Sequence, residues 1–161
     1  MILIALGANL PSTAGPPAAT LKSALVRLAD QGVKIRSVSS FYESPAWPDP
    51  ADPKFVNAVA VVETALQPVE LLALLHGIET AHGRLRSTVN APRSLDLDLL
   101  DYDGRLISDG VTLPHPRLAQ RAFVLVPLAE IAPAWRHPVT GQSVGELLDG
   151  LPGQGDCKKL A

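Results

Sequence analysis

The chain has 161 residues, a net charge of −2 at pH 7 and 47% hydrophobic residues, a composition typical of one globular domain with a hydrophobic core. The small net charge and the lack of a basic block argue against nucleic acid as the main partner. The single cysteine, Cys157, excludes a disulfide framework and fits a reducing compartment. No apolar window approaches the ~18 residues of a membrane span. We therefore expect a cytoplasmic, single-domain protein over 1–161 that does not bind membranes.

The first half of the chain predicts alternating strands and helices. A continuous apolar run predicts a buried strand over 2–6, and leucines at i, i+4 and i+7 predict a helix over 18–30. Residues 33–42 are rich in β-branched and aromatic types and predict a strand, whose phase slips near Ser37 as it does at a bulge. A stiff proline-rich loop follows, and then a strand over 55–64, antiparallel to the previous one.

The second half predicts further helices and one more strand. Pro68 suits the first position of a helix over 68–82, and an acidic strand follows over 94–101. A helical segment ends near Ile131, and a capping box predicts a last short helix that begins after Ser143. The final residues, 150–161, are expected to form a disordered tail. Helices mixed with antiparallel strands predict an α+β fold.

The segment Arg93-Ser94-Leu95-Asp96-Leu97-Asp98-Leu99-Leu100 alternates acidic and leucine residues inside a predicted strand. Because successive side chains of a strand point to opposite faces, Asp96 and Asp98 share one face and lie roughly 7 Å apart. Such carboxylates repel each other unless a cation lies between them. The alternative interpretation is a solvent-facing edge strand, whose charges protect it from aggregation.

Three arginines, Arg84, Arg86 and Arg93, lie just before or at the start of this segment. Guanidinium groups bind phosphate oxygens through two parallel hydrogen bonds. Paired acids for a metal beside arginines for anions are the groups that phosphoryl transfer needs. A solvated basic loop is the alternative. Further along, two prolines fix the backbone around His115, which is a candidate to bind a phosphate or ribose, or to cap nearby carbonyls.

Asn57 interrupts a strand whose two faces are otherwise apolar. Phe55 points the same way, so the pair offers a ring to stack on and an amide to hydrogen-bond, which suits a flat heterocycle. The alternative is an asparagine satisfied by nearby backbone. Glu79 lies in the last turn of a predicted helix, where an acid opposes the helix dipole. It is either a surface residue or a ligand contact.

Several enzyme classes lack their motifs in this sequence. No glycine-rich P-loop with Lys and Ser/Thr is present, nor is the protein-kinase motif set. Neither a nucleophilic-serine elbow nor a Cys/His pair occurs. His76 and His82 are six residues apart, which does not match the four-residue spacing of zinc-binding helices.

Taken together, these residues resemble the 6-hydroxymethyl-7,8-dihydropterin pyrophosphokinase family of folate biosynthesis. The resemblance covers about residues 1–135, and its matching segments are 6–10, 39–45, 55–59, 83–98 and 113–133. Its most specific part is the element Pro-Arg-x-Leu-Asp-Leu-Asp, which ends at Asp98, together with the Pro-His-Pro around His115.

The resemblance implies a ferredoxin-like core, with a mainly antiparallel sheet covered by helices. It implies transfer of the β,γ-pyrophosphoryl unit of ATP to the hydroxymethyl oxygen of the pterin, which gives AMP and the pterin diphosphate. It also implies two Mg²⁺ ions, bound by Asp96 and Asp98. The expected partners are the small molecules ATP and hydroxymethyldihydropterin, and the expected state is a monomer.

The resemblance also assigns residues to each part of the site. The catalytic positions would be Arg84, Arg93, Asp96 and Asp98. The pterin would contact Ser44, Pro45, Ala46, Trp47, Phe55, Asn57 and Phe123. ATP would meet Glu79, Arg84, Arg86, Arg93, Thr112, His115 and Arg121. Two alternatives stay open: a non-catalytic ferredoxin-like binding module, and an enzyme that acts on a different pterin or alcohol.

Overall fold

A computed structural model describes residues 1–46, 49–83, 94–152 and 154–160 of the chain. In this part of the chain, the strands are β1 (Ile2–Ala8), β2 (Lys34–Val38), β3 (Tyr42–Ser44), β4 (Phe55–Glu63), β5 (Asp96–Tyr102) and β6 (Lys158–Lys159). The α-helices are α1 (Pro17–Asp30), α2 (Pro68–Ala81), α3 (Ala122–Ile131) and α4 (Val144–Asp149). Single 3₁₀ turns cover 118–120 and 154–156.

The strands form one sheet in the order β5-β1-β4-β3-β6, and β2 pairs with β4 beside β3. Every strand pair is antiparallel. With β2 and β3 counted as one interrupted strand, the elements from β1 to β5 follow the order β-α-β-β-α-β, and β5 lies beside β1. This is the ferredoxin-like arrangement, so the expected α+β fold with a mainly antiparallel sheet is confirmed.

The two faces of the sheet pack against different helices. On one face, Ile4 and Leu6 of β1 contribute to a core with Leu21 of α1 and Leu71 of α2. On the other face, a second core contains residues of the sheet and of α3 and α4, namely Leu3, Ala5, Val59, Leu100, Val124, Leu125, Leu128 and Leu147. A helix on each face explains why all seven residues of β1 are buried, because a strand covered on both sides reads as a continuous apolar run.

Two sequence expectations about strands need correction. The strand predicted over 33–42 is two strands, β2 and β3, which pair with different parts of the same edge of β4. The register shift between Ile35 and Ser37 confirms the predicted bulge. The tail expected to be disordered contains β6, which pairs with β3, and the N–H of Leu160 donates to the carbonyl of Phe41.

The helix ends follow local sequence signals. Pro68 begins α2 after a capping box between Gln67 and Glu70, and a second capping box at Ser143 begins α4, as predicted. Gly83 follows α2 with φ of 84°, the left-handed conformation that favours glycine after a helix. Over the described ranges, no helix combines the length and the apolar character needed to cross a bilayer.

Candidate active site

The strand register places an acid and an amide in one row across the sheet. Gly7 of β1 pairs with Asp96 of β5 on one side and with Asn57 of β4 on the other. Asp98 lies two residues further along β5, opposite Ala5. Directly opposite residues in antiparallel strands share a face, so these polar side chains project from the same side of the sheet. Both aspartates are half-buried, which argues against a freely solvated edge strand.

A cavity of about 530 Å³ opens on this side of the sheet. Its walls come from β1, β4, β5, the end of β3 and the segment before and into α3. The lining residues are Ala5, Leu6, Gly7, Ser44, Pro45, Phe55, Asn57, Asp96, Asp98, Arg117, Gln120, Arg121, Ala122 and Phe123. The structure therefore brings together the predicted metal ligands, most of the predicted pterin contacts and one predicted ATP contact.

Asn57 is held in place from within the sheet. Its side chain is only 4% exposed, and its Nδ2 donates a 2.8 Å hydrogen bond to Oγ of Ser44. Ser44 also pairs with Phe55 across the two strands. A hydroxyl group of the neighbouring strand thus satisfies the amide, where the alternative interpretation expected nearby backbone. This contact fixes the orientation of the carboxamide beside the ring of Phe55.

Arg121 lies between the acidic and the aromatic parts of the cavity. Its guanidinium carbon is 5.4 Å from the centre of the Phe123 ring, within the range of a cation–π contact. Its Nη1 is 3.5 Å from Oδ2 of Asp98. The positive charge offsets part of the repulsion between the two aspartates.

Two predicted ATP contacts, Thr112 and His115, line a second, more open cavity of about 420 Å³. The Nδ1 of His115 accepts a hydrogen bond from the backbone N–H of Arg117. Burial, with the positive charge of Arg121, lowers the pKa of His115 to about 4, although Asp96 acts in the opposite direction. His115 is therefore neutral at pH 7 and carries its proton on Nε2, which is a hydrogen-bond donor.

Glu79 does not lie on the surface. It is 1% exposed, and its Oε2 accepts a 2.8 Å hydrogen bond from the backbone N–H of Leu97. β5 is at the edge of the sheet. A backbone N–H group on its outer side therefore has no strand partner and needs another acceptor. Simple surface exposure, one of the two interpretations of this acid, is therefore wrong.

Some predicted contacts lie elsewhere. Ala46 is buried and is not among the residues that line the larger cavity. Trp47 and the arginines Arg84, Arg86 and Arg93 lie outside the described residues. The residues predicted from the sequence do not include Gln120 or Arg117. Both line the larger cavity, from the irregular segment before α3, where no helical or strand periodicity predicts which side chains share a face.

The residues of the larger cavity fit a magnesium site in part. Across the described ranges, no group of three or more His, Cys, Asp or Glu side chains could hold a metal ion. Mg²⁺, however, commonly takes one or two protein carboxylates and completes its octahedron with water and substrate phosphates. Asp96 and Asp98 supply that number of carboxylates on one face, so the pair suits Mg²⁺ held jointly with a phosphorylated ligand.

The fold and the site together define the class of protein. It is a ferredoxin-like domain whose sheet carries a cavity, lined by polar and aromatic residues, of a size that suits a small molecule. The model of the family "7,8-dihydro-6-hydroxymethylpterin-pyrophosphokinase (HPPK)" matches residues 3–133. The chain therefore belongs to the HPPK family, whose members transfer pyrophosphate from ATP to hydroxymethyldihydropterin in folate synthesis.

Individual relatives agree with this assignment. The 2-amino-4-hydroxy-6-hydroxymethyldihydropteridine pyrophosphokinase of Synechocystis sp. is 39% identical over 96% of this chain and 76% of its own length. The protein of the same name from Methylorubrum extorquens is 40% identical over 91% of this chain and 93% of its own length. Folic acid synthesis protein fol1 of Pneumocystis carinii is 36% identical over 93% of this chain but only 20% of its own.

Solved structures show the same fold. A crystal structure of HPPK-DHPS in complex with substrates superposes with a TM-score of 0.73 at 13% identity, over 92% of this chain and 42% of that chain. Wild-type Plasmodium falciparum HPPK-DHPS gives a TM-score of 0.68 at 13% identity, over 92% and 44% of the two chains. The present chain thus spans less than half the length of those proteins, and at this identity the likeness concerns the fold alone.

Proposed function

We propose that the chain carries out the pyrophosphoryl transfer of its family at the cavity on the sheet, as a Mg²⁺-dependent enzyme that binds ATP. The observation that carries this proposal is that Asp96 and Asp98 line the same cavity as Phe55, Asn57 and Phe123. One end of the cavity thus offers carboxylates for a metal, and the other offers rings and an amide for a flat heterocycle.

The pterin would occupy the aromatic end. Phe55 and Phe123 come from β4 and α3, so a bicyclic ring between them would have an aromatic side chain on each face. Asn57, fixed by Ser44, would hydrogen-bond the ring edge and distinguish it from other flat molecules. Backbone groups of Pro45, Ala46 and Trp47 would complete this end.

The reacting groups would meet beside the aspartates. The hydroxymethyl oxygen would form a bond to the β-phosphorus of ATP, the bond from that phosphorus to the α–β bridging oxygen would break, and the hydroxyl proton would pass to solvent. Asp96 and Asp98 would hold two Mg²⁺ ions together with the phosphates. When bound, Mg²⁺ supplies neutralisation of the phosphate charge and polarises the reacting oxygens.

The remaining polar groups would hold the nucleotide. Arg121 already faces the cavity beside Asp98 and would contact a phosphate. Neutral His115 would donate from Nε2 to a phosphate or ribose oxygen, since its Nδ1 accepts from backbone. We propose further ATP contacts for Glu79, Thr112, Arg84, Arg86 and Arg93, with Arg84 and Arg93 also stabilising charge on the migrating and leaving phosphates.

A single assay tests this function. The protein is incubated with ATP, hydroxymethyldihydropterin and Mg²⁺, and the nucleotide products are separated. We expect AMP, formed only when both the pterin and Mg²⁺ are present, and no AMP when EDTA replaces Mg²⁺. ADP would indicate ordinary kinase chemistry instead. No turnover with any pterin would indicate a binding module.

We also propose that the chain acts as a cytoplasmic monomer with small-molecule substrates. The proposed metal ligands Asp96 and Asp98 line the same cavity as the proposed pterin contact Asn57 within a single chain, which supports a monomer as the active unit. Light scattering of the purified protein in the presence of ATP and Mg²⁺ tests this state, and a mass of twice 17.0 kDa would contradict it.

A further inference from the structure

Gly7 lies in the floor of the larger cavity, where it contributes no side chain. It lies in β1 between Asn57 and Asp96 in the row that crosses the sheet. Its neighbours Leu6 and Ala8 belong to the core on the opposite face. Because side chains alternate along a strand, a side chain at position 7 would enter the cavity between the amide and the acid.

The surrounding atoms leave little room for such a side chain. A Cβ atom at position 7 would lie 3.2 Å from Oδ1 of Asn57 and 3.8 Å from Cδ1 of Phe55. The first distance is too short for an ordinary contact, so the carboxamide would have to move. Asn57 cannot turn away freely, because its Nδ2 is bonded to Ser44 in a buried position.

Backbone geometry does not explain the glycine. Gly7 is not among the residues with positive φ, and it is paired on both sides in a regular strand. Glycine in a strand interior lacks packing and loses more conformational entropy on folding than alanine does. An alanine would therefore suit the strand, and the missing side chain is explained by the cavity that it leaves open.

We propose that Gly7 is a specificity-determining residue: its missing side chain gives the edge of a planar heterocycle access to the carboxamide of Asn57. The inference deepens the proposed function, since the ligand class is the pterin of that proposal. A methyl group at position 7 would stand where a ring N–H donor approaches Oδ1. It would weaken binding of the ring and leave the nucleotide contacts around His115 unchanged.

The test compares Gly7→Ala with Gly77→Ala. Gly77 is an exposed residue of α2 where an added Cβ meets no atom within 4 Å, so it controls for the extra methyl group. Binding of hydroxymethyldihydropterin is measured by calorimetry in the presence of Mg²⁺ and α,β-methylene-ATP, which cannot transfer the pyrophosphoryl unit. Binding of α,β-methylene-ATP alone is measured in parallel.

We expect Gly7→Ala to weaken pterin binding at least 10-fold and α,β-methylene-ATP binding by less than twofold, with Gly77→Ala like the wild type in both. Unchanged pterin binding, or equal losses for both ligands, would overturn the inference. Absence of pterin binding by the wild type would instead contradict the proposed function.

A second variant covers the case in which Gly7→Ala does not fold. Asn57→Ala removes the oxygen that the new methyl group would meet. A folded Gly7→Ala/Asn57→Ala protein would then support the contact as the cause. If the double variant is also unfolded while Asn57→Ala alone is folded, the glycine serves the strand backbone and the inference is wrong.

Discussion

Arg121 contacts Asp98 and Phe123 at once: its Nη1 is 3.5 Å from Oδ2 of Asp98, and its guanidinium carbon lies 5.4 Å from the centre of the Phe123 ring. The two charged side chains are 23% and 27% exposed. Partly exposed ion pairs contribute about 0–1 kcal/mol to folding. The main effect of this pair is therefore to position the guanidinium group of Arg121. It keeps a cation between the proposed metal ligands and the proposed ring-binding surface.

Asp98→Asn should abolish pyrophosphoryl transfer, by at least ~10³-fold, while changing the melting temperature by less than about 3 °C. In the proposed site this carboxylate binds the metal, while its neutralisation relieves repulsion from Asp96 and weakens a partly exposed ion pair with Arg121 that contributes little to stability. AMP formation and thermal unfolding are measured on the same preparation. The control is Asp30→Asn, an exposed position at the end of α1. Near-normal turnover of Asp98→Asn would contradict the metal assignment.

Phe123→Ala should weaken binding of the pterin much more than binding of ATP. Stacking of an aromatic side chain on a base is worth about 1–3 kcal/mol, which corresponds to roughly a 5- to 150-fold increase in the Kd of the pterin. Phe123→Leu keeps apolar volume without the aromatic face and should give an intermediate loss. Calorimetric titration with each ligand checks this. Equal losses for the two ligands would indicate that Phe123 supports the fold of the site rather than the ring.

Much of the fold was predictable from local patterns. The buried strand β1 is a continuous apolar run. The helices α1 and α2 have periodic apolar residues, and Pro68 and Gly83 mark the two ends of α2. The two short strands β3 and β6 were not predicted as separate elements. They contain three and two residues, and they exist only because distant strands offer backbone partners, which a local window does not contain.

The sequence predicted those parts of the site that depend on residue type and on alternation along a strand. Alternation in β5 indicated that Asp96 and Asp98 share a face, and Phe55 and Asn57 were paired in the same way. Glu79 shows the limit of this reasoning. Its hydrogen-bond partner, the N–H of Leu97, is available only because β5 is at the edge of the sheet, and the sequence does not reveal the strand order. Gly7 shows another limit, since a missing side chain becomes informative only when its neighbours across the sheet are known.

His115 should make the stability of the ligand-free protein sensitive to mild acid. Its folded pKa, about 4, lies below the ordinary value of 6.5, so the unfolded chain binds more protons between these values. The contribution of neutral His115 to the free energy of unfolding is therefore complete above about pH 6.5 and is lost as the pH falls to about 4. His115→Gln should therefore lose less stability than the wild type between pH 7 and pH 4.5, as measured by urea unfolding.

The control for this experiment is Val26→Gln, an exposed position of α1 that carries no titratable group. Its pH dependence should match that of the wild type. If His115→Gln also follows the wild-type curve, the acid sensitivity arises from other groups, and His115 is not the buried neutral histidine that the structure indicates.

Glu130 of α3 connects this helix to the strand that carries Ser44. Its Oε1 accepts a 2.5 Å hydrogen bond from the hydroxyl of Tyr42, and its Oε2 accepts from the backbone N–H and Oγ of Ser40. Tyr42 is buried and pairs with Asn57 across the strands. The contact therefore joins the helix of Phe123 to the strands that form the opposite wall of the cavity.

Tyr42→Phe should lower the free energy of unfolding at pH 7 by about 1–2 kcal/mol, because a hydrogen bond to a charged group is lost while Ser40 still satisfies Glu130. The alkaline behaviour is more specific. Burial, together with the negative charge and hydrogen bond of Glu130, raises the pKa of Tyr42 to about 12. An unfolded tyrosine ionises near pH 10, so the wild type should lose stability as the pH rises from about 10 to 12.

Urea unfolding at pH 8 and pH 11 separates these effects. The difference between the two values should be smaller for Tyr42→Phe than for the wild type, because the variant has no phenol to ionise at this position. Glu130→Gln should fall between them, since burial of the phenol remains while the negative charge is removed. If Tyr42→Phe loses as much unfolding free energy between pH 8 and pH 11 as the wild type does, another group causes the alkaline loss. The Tyr42–Glu130 contact would then not be what raises the pKa of a phenol in this protein.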